Sequence, residues 1–193
     1  MSIVKSTVDT RATILAAAIS LLRTGGADAL TVRNVADAAG CSTTGVYTWF
    51  GGKNGLVEAI LIEGFDSFDD ALGSAPTFYD TGLAYRRWAL DNPTHYLVMF
   101  GHVVSSYEPE QAALDRAEES FFGLVELVGG DEAFAYHVWA TVHGYVMLEI
   151  TGIVAADNQF DVELLYRAGL NLLLQGLSPP QTGVKADGPN SHT

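Results

Sequence analysis

Residues 31–53, TVRNVADAAGCSTTGVYTWFGGK, constrain this chain most, because their small residues fall where two short crossing helices need them. The spacing predicts one helix from Thr31 to about Ala39, a turn at Gly40 and Cys41, and a second helix from Ser42 to about Phe50. Ala36 offers only a methyl group on the inner face of the first helix, so the second can approach closely. Gly40 supplies the positive φ that a three- to four-residue turn requires. Val46 is the apolar anchor that turns back onto Val35 and Ala36, and Thr31 and Ser42 are good N-caps. The pattern is a helix-turn-helix, whose second helix is shaped for a DNA major groove.

An ordinary buried helical hairpin also uses Ala, Gly and Val. The outward positions of the second helix argue against it: Thr43, Thr44, Tyr47 and Thr48 are hydroxyl groups, not the Glu and Lys of a plain solvated face. Thr suits thymine methyls and base-edge hydrogen bonds, and a Tyr hydroxyl suits phosphate. Lys53 stands just before the next helix, beside backbone N–H groups that favour an anion. The candidate DNA contacts are Thr31 and Arg33 from the first helix, then Ser42, Thr43, Thr44, Gly45, Tyr47, Thr48 and Trp49, and finally Lys53.

The run from Arg11 to Phe65 resembles the N-terminal domain of the TetR (tetracycline-repressor) family of bacterial transcription regulators. The resemblance rests on Thr31, Val35-Ala36, Ala39-Gly40, Ser42, Val46-Tyr47, Phe50, Lys53 and Leu56. Gly51-Gly52 and Asn54 depart from the usual polar and acidic residues, which predicts a less rigid entry to the following helix. A second, scattered resemblance covers Tyr85, Trp88, Ala89, Asn92-Pro93, Tyr96, Met99-Phe100 and Trp139-x-x-x-His143-Gly144. These positions are similar to a TetR subgroup with a Trp-x-x-x-His-Gly signature in its ligand-binding domain. The resemblance implies a dimeric regulator, a repressor released from a palindromic operator when a small molecule binds. A helical protein-interaction module without ligand response is the alternative.

Composition fits an all-α fold: 48% of the 193 residues are hydrophobic, prolines are few, and helix-period patterns dominate. The net charge of −13 divides into +2 over residues 1–56 and −15 over the remainder, so the DNA-facing part is mildly basic and the body acidic. Cys41, the single cysteine, excludes an internal disulfide and suits a reducing cytoplasm. TILAAAISLL at 13–22 mimics a signal peptide, but Ile14, Leu15, Ala18, Ile19 and Leu22 recur at helical spacing. It reads as an amphipathic first helix, with Asp9 and Thr10 as caps, ending at Gly25-Gly26. No apolar run is long enough for a membrane span; residues 133–148 read as a buried core helix.

Nine helices in all are expected, the later ones at about 54–72, 80–91, 93–107, 109–128, 131–155 and 160–176. The expected division is a helix-turn-helix domain at 1–53, a ligand-binding and dimerisation domain at 54–177 and a disordered tail at 178–193. Dimerisation is expected through the eighth and ninth helices, from Val142, Val146 and Ile150 with Leu165, Ala168, Leu172 and Leu173. Candidate ligand contacts are Trp88, Tyr96, Met99, Phe100, Trp139, His143 and Met147, mostly apolar with two polar tips, which implies an apolar or aromatic effector. Arg86 and Arg87 read as surface residues. Asp66, Asp69 and Asp70 read as a solvated face, and His102 and His143 as hydrogen-bonded core histidines, so no metal or other cofactor is expected. Nucleophile-elbow, phosphate-loop and dinucleotide motifs are all missing, which argues against an enzyme.

Overall fold

In the computed structural model the described residues are 2–105, 107–153 and 161–177, with side-chain surroundings described from Thr10 onward. The expected tail at 178–193 lies outside them. Among the described residues the chain forms nine α-helices and no strand: α1 Ser2–Ala29, α2 Val32–Ala39, α3 Thr43–Phe50, α4 Lys53–Gly73, α5 Phe78–Asp91, α6 Pro93–Phe100, α7 Gln111–Leu127, α8 Glu132–Ile150 and α9 Val162–Leu177. No helix among them is long and apolar enough to cross a membrane.

The first helix starts at Ser2, before the expected caps, because no Gly or Pro interrupts the chain until Gly25. It breaks at Gly26, whose φ of 66° is not helical. Ile14, Leu15, Ala18 and Leu22 are buried on one face of α1, as its spacing requires. They pack against α2, α3 and the first half of α4, and this core also takes in Val104, Tyr107 and Ala113 from beyond α6. A second core joins the end of α4 to α5, α6, α8 and α9, and a third lies between α7 and α8.

Helix α4 begins at Lys53, where the division between the two parts is expected, and runs through two cores. Its N-terminal half belongs to the first core, through Leu56, Val57, Ile60, Leu61 and Phe65, and Phe68 belongs to the second.

Helix α6 ends at Phe100, seven residues before the expected Tyr107. Gly101 terminates it by donating to the Leu97 carbonyl at 2.8 Å, and His102 follows with φ 52°. The chain then folds inward instead of continuing, burying Val104 and Tyr107. The Tyr107 hydroxyl and the Glu110 N–H both donate to the Glu58 carboxylate of α4. His102 is exposed, not a core histidine.

Helix α8 is not wholly buried either. Val142 and Val146 are buried within the chain's own second core, so they are spent there and cannot supply a dimer face. Tyr136, Ala140 and Leu148 face outward instead, and on α9 Leu164, Leu165, Ala168 and Leu172 do the same.

Candidate nucleic-acid interface and ligand cavity

The local chemistry of residues 31–53 builds the two short helices as their sequence requires. Thr31 accepts from the Asn34 N–H at 3.1 Å and Ser42 from the Gly45 N–H at 3.1 Å, each satisfying an amide the helix start leaves unpaired. Gly40, with φ 66°, closes α2. Val46 is fully buried in the same cluster as Val35 and Ala36, which fixes the rotation of α3 about its axis. That rotation leaves Ser42, Thr43, Thr44, Tyr47, Thr48 and Trp49 exposed, with Gly45 half-covered between them; Thr31 and Arg33 are exposed at the start of α2.

Two of these candidates have commitments the sequence did not reveal. The Thr48 hydroxyl donates to the Thr44 carbonyl at 2.8 Å, so towards any partner it is an acceptor with an exposed methyl. Lys53 Nζ donates to the Ala27 carbonyl at 3.0 Å, tying the start of α4 to the end of α1 and leaving two of its three donors for other acceptors.

The turn between α3 and α4 is tightly specified rather than loose. Gly51 and Gly52 have φ 68° and 136°, and Gly52 is buried against the Tyr47 ring. A Cβ on Gly55 would lie 1.7 Å from the Phe50 carbonyl oxygen, so α4 starts in direct backbone contact with the end of α3. Arg11 of α1 covers the Phe50 ring from 5.1 Å.

The body holds a cavity of about 750 Å³, within the size range of small-molecule sites. Helix α4 lines it with Leu61, Phe65, Phe68, Asp69 and Leu72, and α7 with Ala113, Ala117, Ser120, Phe121 and Leu124. Thr81 and Tyr85 of α5, Met99 and Phe100 of α6, Glu119 of α7 and Val138, Trp139 and Val142 of α8 also line it. Of the seven expected ligand contacts, Met99, Phe100 and Trp139 line this space; Trp88, Tyr96, His143 and Met147 do not.

Tyr96 is fully buried behind the wall. Its hydroxyl lies 2.7 Å from the Tyr85 hydroxyl and 2.7 Å from His143 Nδ1, a relay leading from the cavity surface into the protein. Burial pushes both phenols far above their ordinary value and holds the His143 imidazole below its own, so all three are neutral at pH 7. Trp139 and His143 share a face of α8, with rings 5.8 Å apart. No atom outside its own helix backbone and chain neighbours comes within 4 Å of a Cβ on Gly144, so within one chain it meets open space, not a close helix.

The sequence reading missed Tyr85, Phe65 and Phe68. The signal for Phe65 and Phe68 was present in the recurrence of Leu61, Phe65, Phe68 and Leu72 on one face of α4, matched by Ala113, Ala117, Ser120 and Leu124 on α7.

Two arginines of the body hold cross-helix ion pairs. Arg86 is half-buried, not a surface residue; its guanidinium grips Glu149 through two bonds of 2.8 and 2.7 Å and sits over the Tyr166 ring. Asp66 and Asp69 are not simply solvated, since both face Arg116 of α7, at 2.8 and 3.0 Å. Among the described residues no group of His, Cys, Asp and Glu could hold a metal ion.

An exposed hydroxyl-rich helix locked into a helix-turn-helix, joined by one helix to a cavity-bearing helical body, defines a DNA-binding regulator of the helix-turn-helix class. Residues 14–60 match the family model of bacterial regulatory proteins of the tetR family, and residues 78–173 match the tetracyclin repressor-like C-terminal domain. The chain belongs to the TetR family of transcription regulators. It is 28% identical over 156 residues to the uncharacterised HTH-type transcriptional regulator Rv0681 of Mycobacterium tuberculosis, covering 75% of this chain and 72% of that protein. Among solved structures it is similar to SCO4313, described as a regulatory protein, with a TM-score of 0.82 at 25% identity over 91% of this chain and all of the other. A TetR variant of Acinetobacter baumannii AYE in complex with minocycline shares the fold, with a TM-score of 0.58 at 20% identity over 86% of this chain and 94% of that one. The Trp-x-x-x-His-Gly subgroup finds no separate support in these matches.

Proposed function

We propose that this TetR-family regulator is a cytoplasmic dimeric repressor that binds a palindromic operator and is released from it by a small apolar or aromatic ligand. The observation that carries this reading is the continuity of α4. Its first turn abuts the end of α3 at Gly55, and its later turns form one wall of the cavity. A ligand that moves the wall moves the base of the recognition helix.

In this reading Thr43, Thr44 and Thr48 face base edges, while Tyr47 and Lys53 hold phosphates, Lys53 keeping its bond to Ala27. Thr31, Arg33, Ser42, Gly45 and Trp49 flank the groove. Two copies associate through the outward faces of α8 and α9, where Leu148, Leu164, Leu165 and Leu172 expose apolar surface that a two-fold contact would cover twice. Ligand favours a conformer in which the two recognition helices no longer match successive major grooves. A small-molecule ligand also fits the solved TetR variant of the same fold, which is in complex with minocycline.

The test is a thermal-shift screen of small aromatics followed by DNA titration with the full chain. Any compound that stabilises the protein through the cavity is expected to weaken operator binding, and operator to weaken the compound by the same factor. Cavity ligands that leave DNA affinity unchanged would overturn ligand release.

A further inference from the structure

Resting on the reading of the cavity as a ligand site, the directions of its hydrogen bonds narrow what that ligand is. Among the described residues no Lys, Arg or His lines the cavity; the side chains with nitrogen or oxygen atoms in its wall are Asp69, Thr81, Tyr85, Glu119, Ser120 and Trp139. Each hydroxyl among them has a partner for its proton. Ser120 donates to Asp69 at 2.7 Å, and Thr81 donates to the Thr77 carbonyl at 3.0 Å.

Tyr85 is held by the relay through Tyr96 to His143. With His143 neutral and its Nε2 protonated, the ordinarily favoured tautomer, Nδ1 accepts from Tyr96, and Tyr96 in turn accepts from Tyr85. The Trp139 indole N–H is the one side-chain donor left in the described wall. What Tyr85 has left for the cavity is a lone pair. The carboxylates of Asp69 and Glu119 can only accept, and Arg116, the cation beside them, faces three carboxylates at once, those of Asp66, Asp69 and Glu119. Around these acceptors stand the rings of Phe65, Phe68, Phe100 and Phe121, whose faces attract cations.

We propose that the cavity presents acceptors beside a single indole donor, with no cation, and that its ligand is an apolar or aromatic molecule bearing N–H donors, foremost a protonated amine. An anionic ligand would meet two carboxylates and no free cation. A hydrocarbon would fill the space but leave the lone pairs of Tyr85, Ser120 and Thr81 without water or a donor.

The experiment uses four probes of one shape, 4-phenylbutylamine, its trimethylammonium analogue, butylbenzene and 4-phenylbutyrate, titrated into the full chain by tryptophan fluorescence. The amine is expected to bind about tenfold tighter than butylbenzene and the trimethylammonium analogue, and the carboxylate weakest. Tyr85→Phe should narrow the gap between amine and butylbenzene, and nitrogen NMR of His143 should show Nδ1 unprotonated. A carboxylate that binds as tightly as the amine overturns the inference, as does the opposite His143 tautomer. If butylbenzene binds and the amine gains nothing, the acceptor lining is wrong while the cavity remains a ligand site. If no probe binds, the cavity reading falls and the inference with it.

Discussion

Gly55 sets the junction between recognition helix and lever, because its missing side chain is where the Phe50 carbonyl sits. Gly55→Ala is expected to destabilise by about 3 kcal/mol or more, since the opposing atom is backbone and cannot rotate away. Gly123→Ala in α7, with nothing within 4 Å, is the control and should stabilise by up to about 1 kcal/mol. Denaturant midpoints at constant slope check both. At the interface, Thr44→Ala should change the preferred site at about 1–3 kcal/mol per base contact. Lys53→Ala should weaken all DNA alike, flatten the salt dependence by about one unit per lost contact, and also lower stability through the lost bond to Ala27. Unchanged stability would mean that this strut is idle in solution.

His143 gives a pH signature. Its neighbours in the fold are Tyr96, Trp139 and Phe100, none of them charged at neutral pH, and burial holds its pKa below the ordinary value. The unfolded chain therefore takes up this proton first as pH falls. The contribution to stability is whole above about 6.5 and is lost as pH drops from there through the folded value. Wild type should lose its margin over His143→Gln between pH 7.5 and 5.5; a constant margin would show that burial does not bias this proton.

At the scale of elements, much was legible from residue order alone. The turn at 40–41 and the ends of α2, α3, α5 and α8 depend on caps a few residues away, and Thr31, Ser42, Thr77 and Asp131 all accept the amide three residues on. The early end of α6 was not legible, because it depends on distant partners: the buried places taken by Val104 and Tyr107 and the Glu58 carboxylate. Nor could residue types separate cavity wall from core. Trp88 and Trp139 are equally aromatic, and only the packing of α7 over α4 decides that Trp139 faces empty space.

The Arg86–Glu149 pair joins α5 to α8 across the same body. Removing one half leaves a partly buried charge, so Arg86→Met should cost about 1–3 kcal/mol, discounted for the remaining solvent access. Restoration by adding Glu149→Gln would confirm the coupling in a double-mutant cycle.

At the scale of the molecule, the acidic body and mildly basic N-terminal part are expected to orient the protein on DNA, keeping α8 and α9 away from the phosphates. The outward Leu172, 67% exposed in a single chain, is expected to be covered by a second copy. Sedimentation should find a dimer at micromolar concentration and a folded monomer for Leu172→Glu; a variant still dimeric would move the interface elsewhere.

The central claim, a symmetric pair of hydroxyl-rich helices reading DNA, meets its most direct test in selection of bound sites from random duplexes by the full chain. The expected product is an inverted repeat with half-sites spaced by whole helical turns, about 10–10.5 base pairs or a multiple. Enrichment of no sequence, or of a single half-site without its two-fold mate, would contradict it.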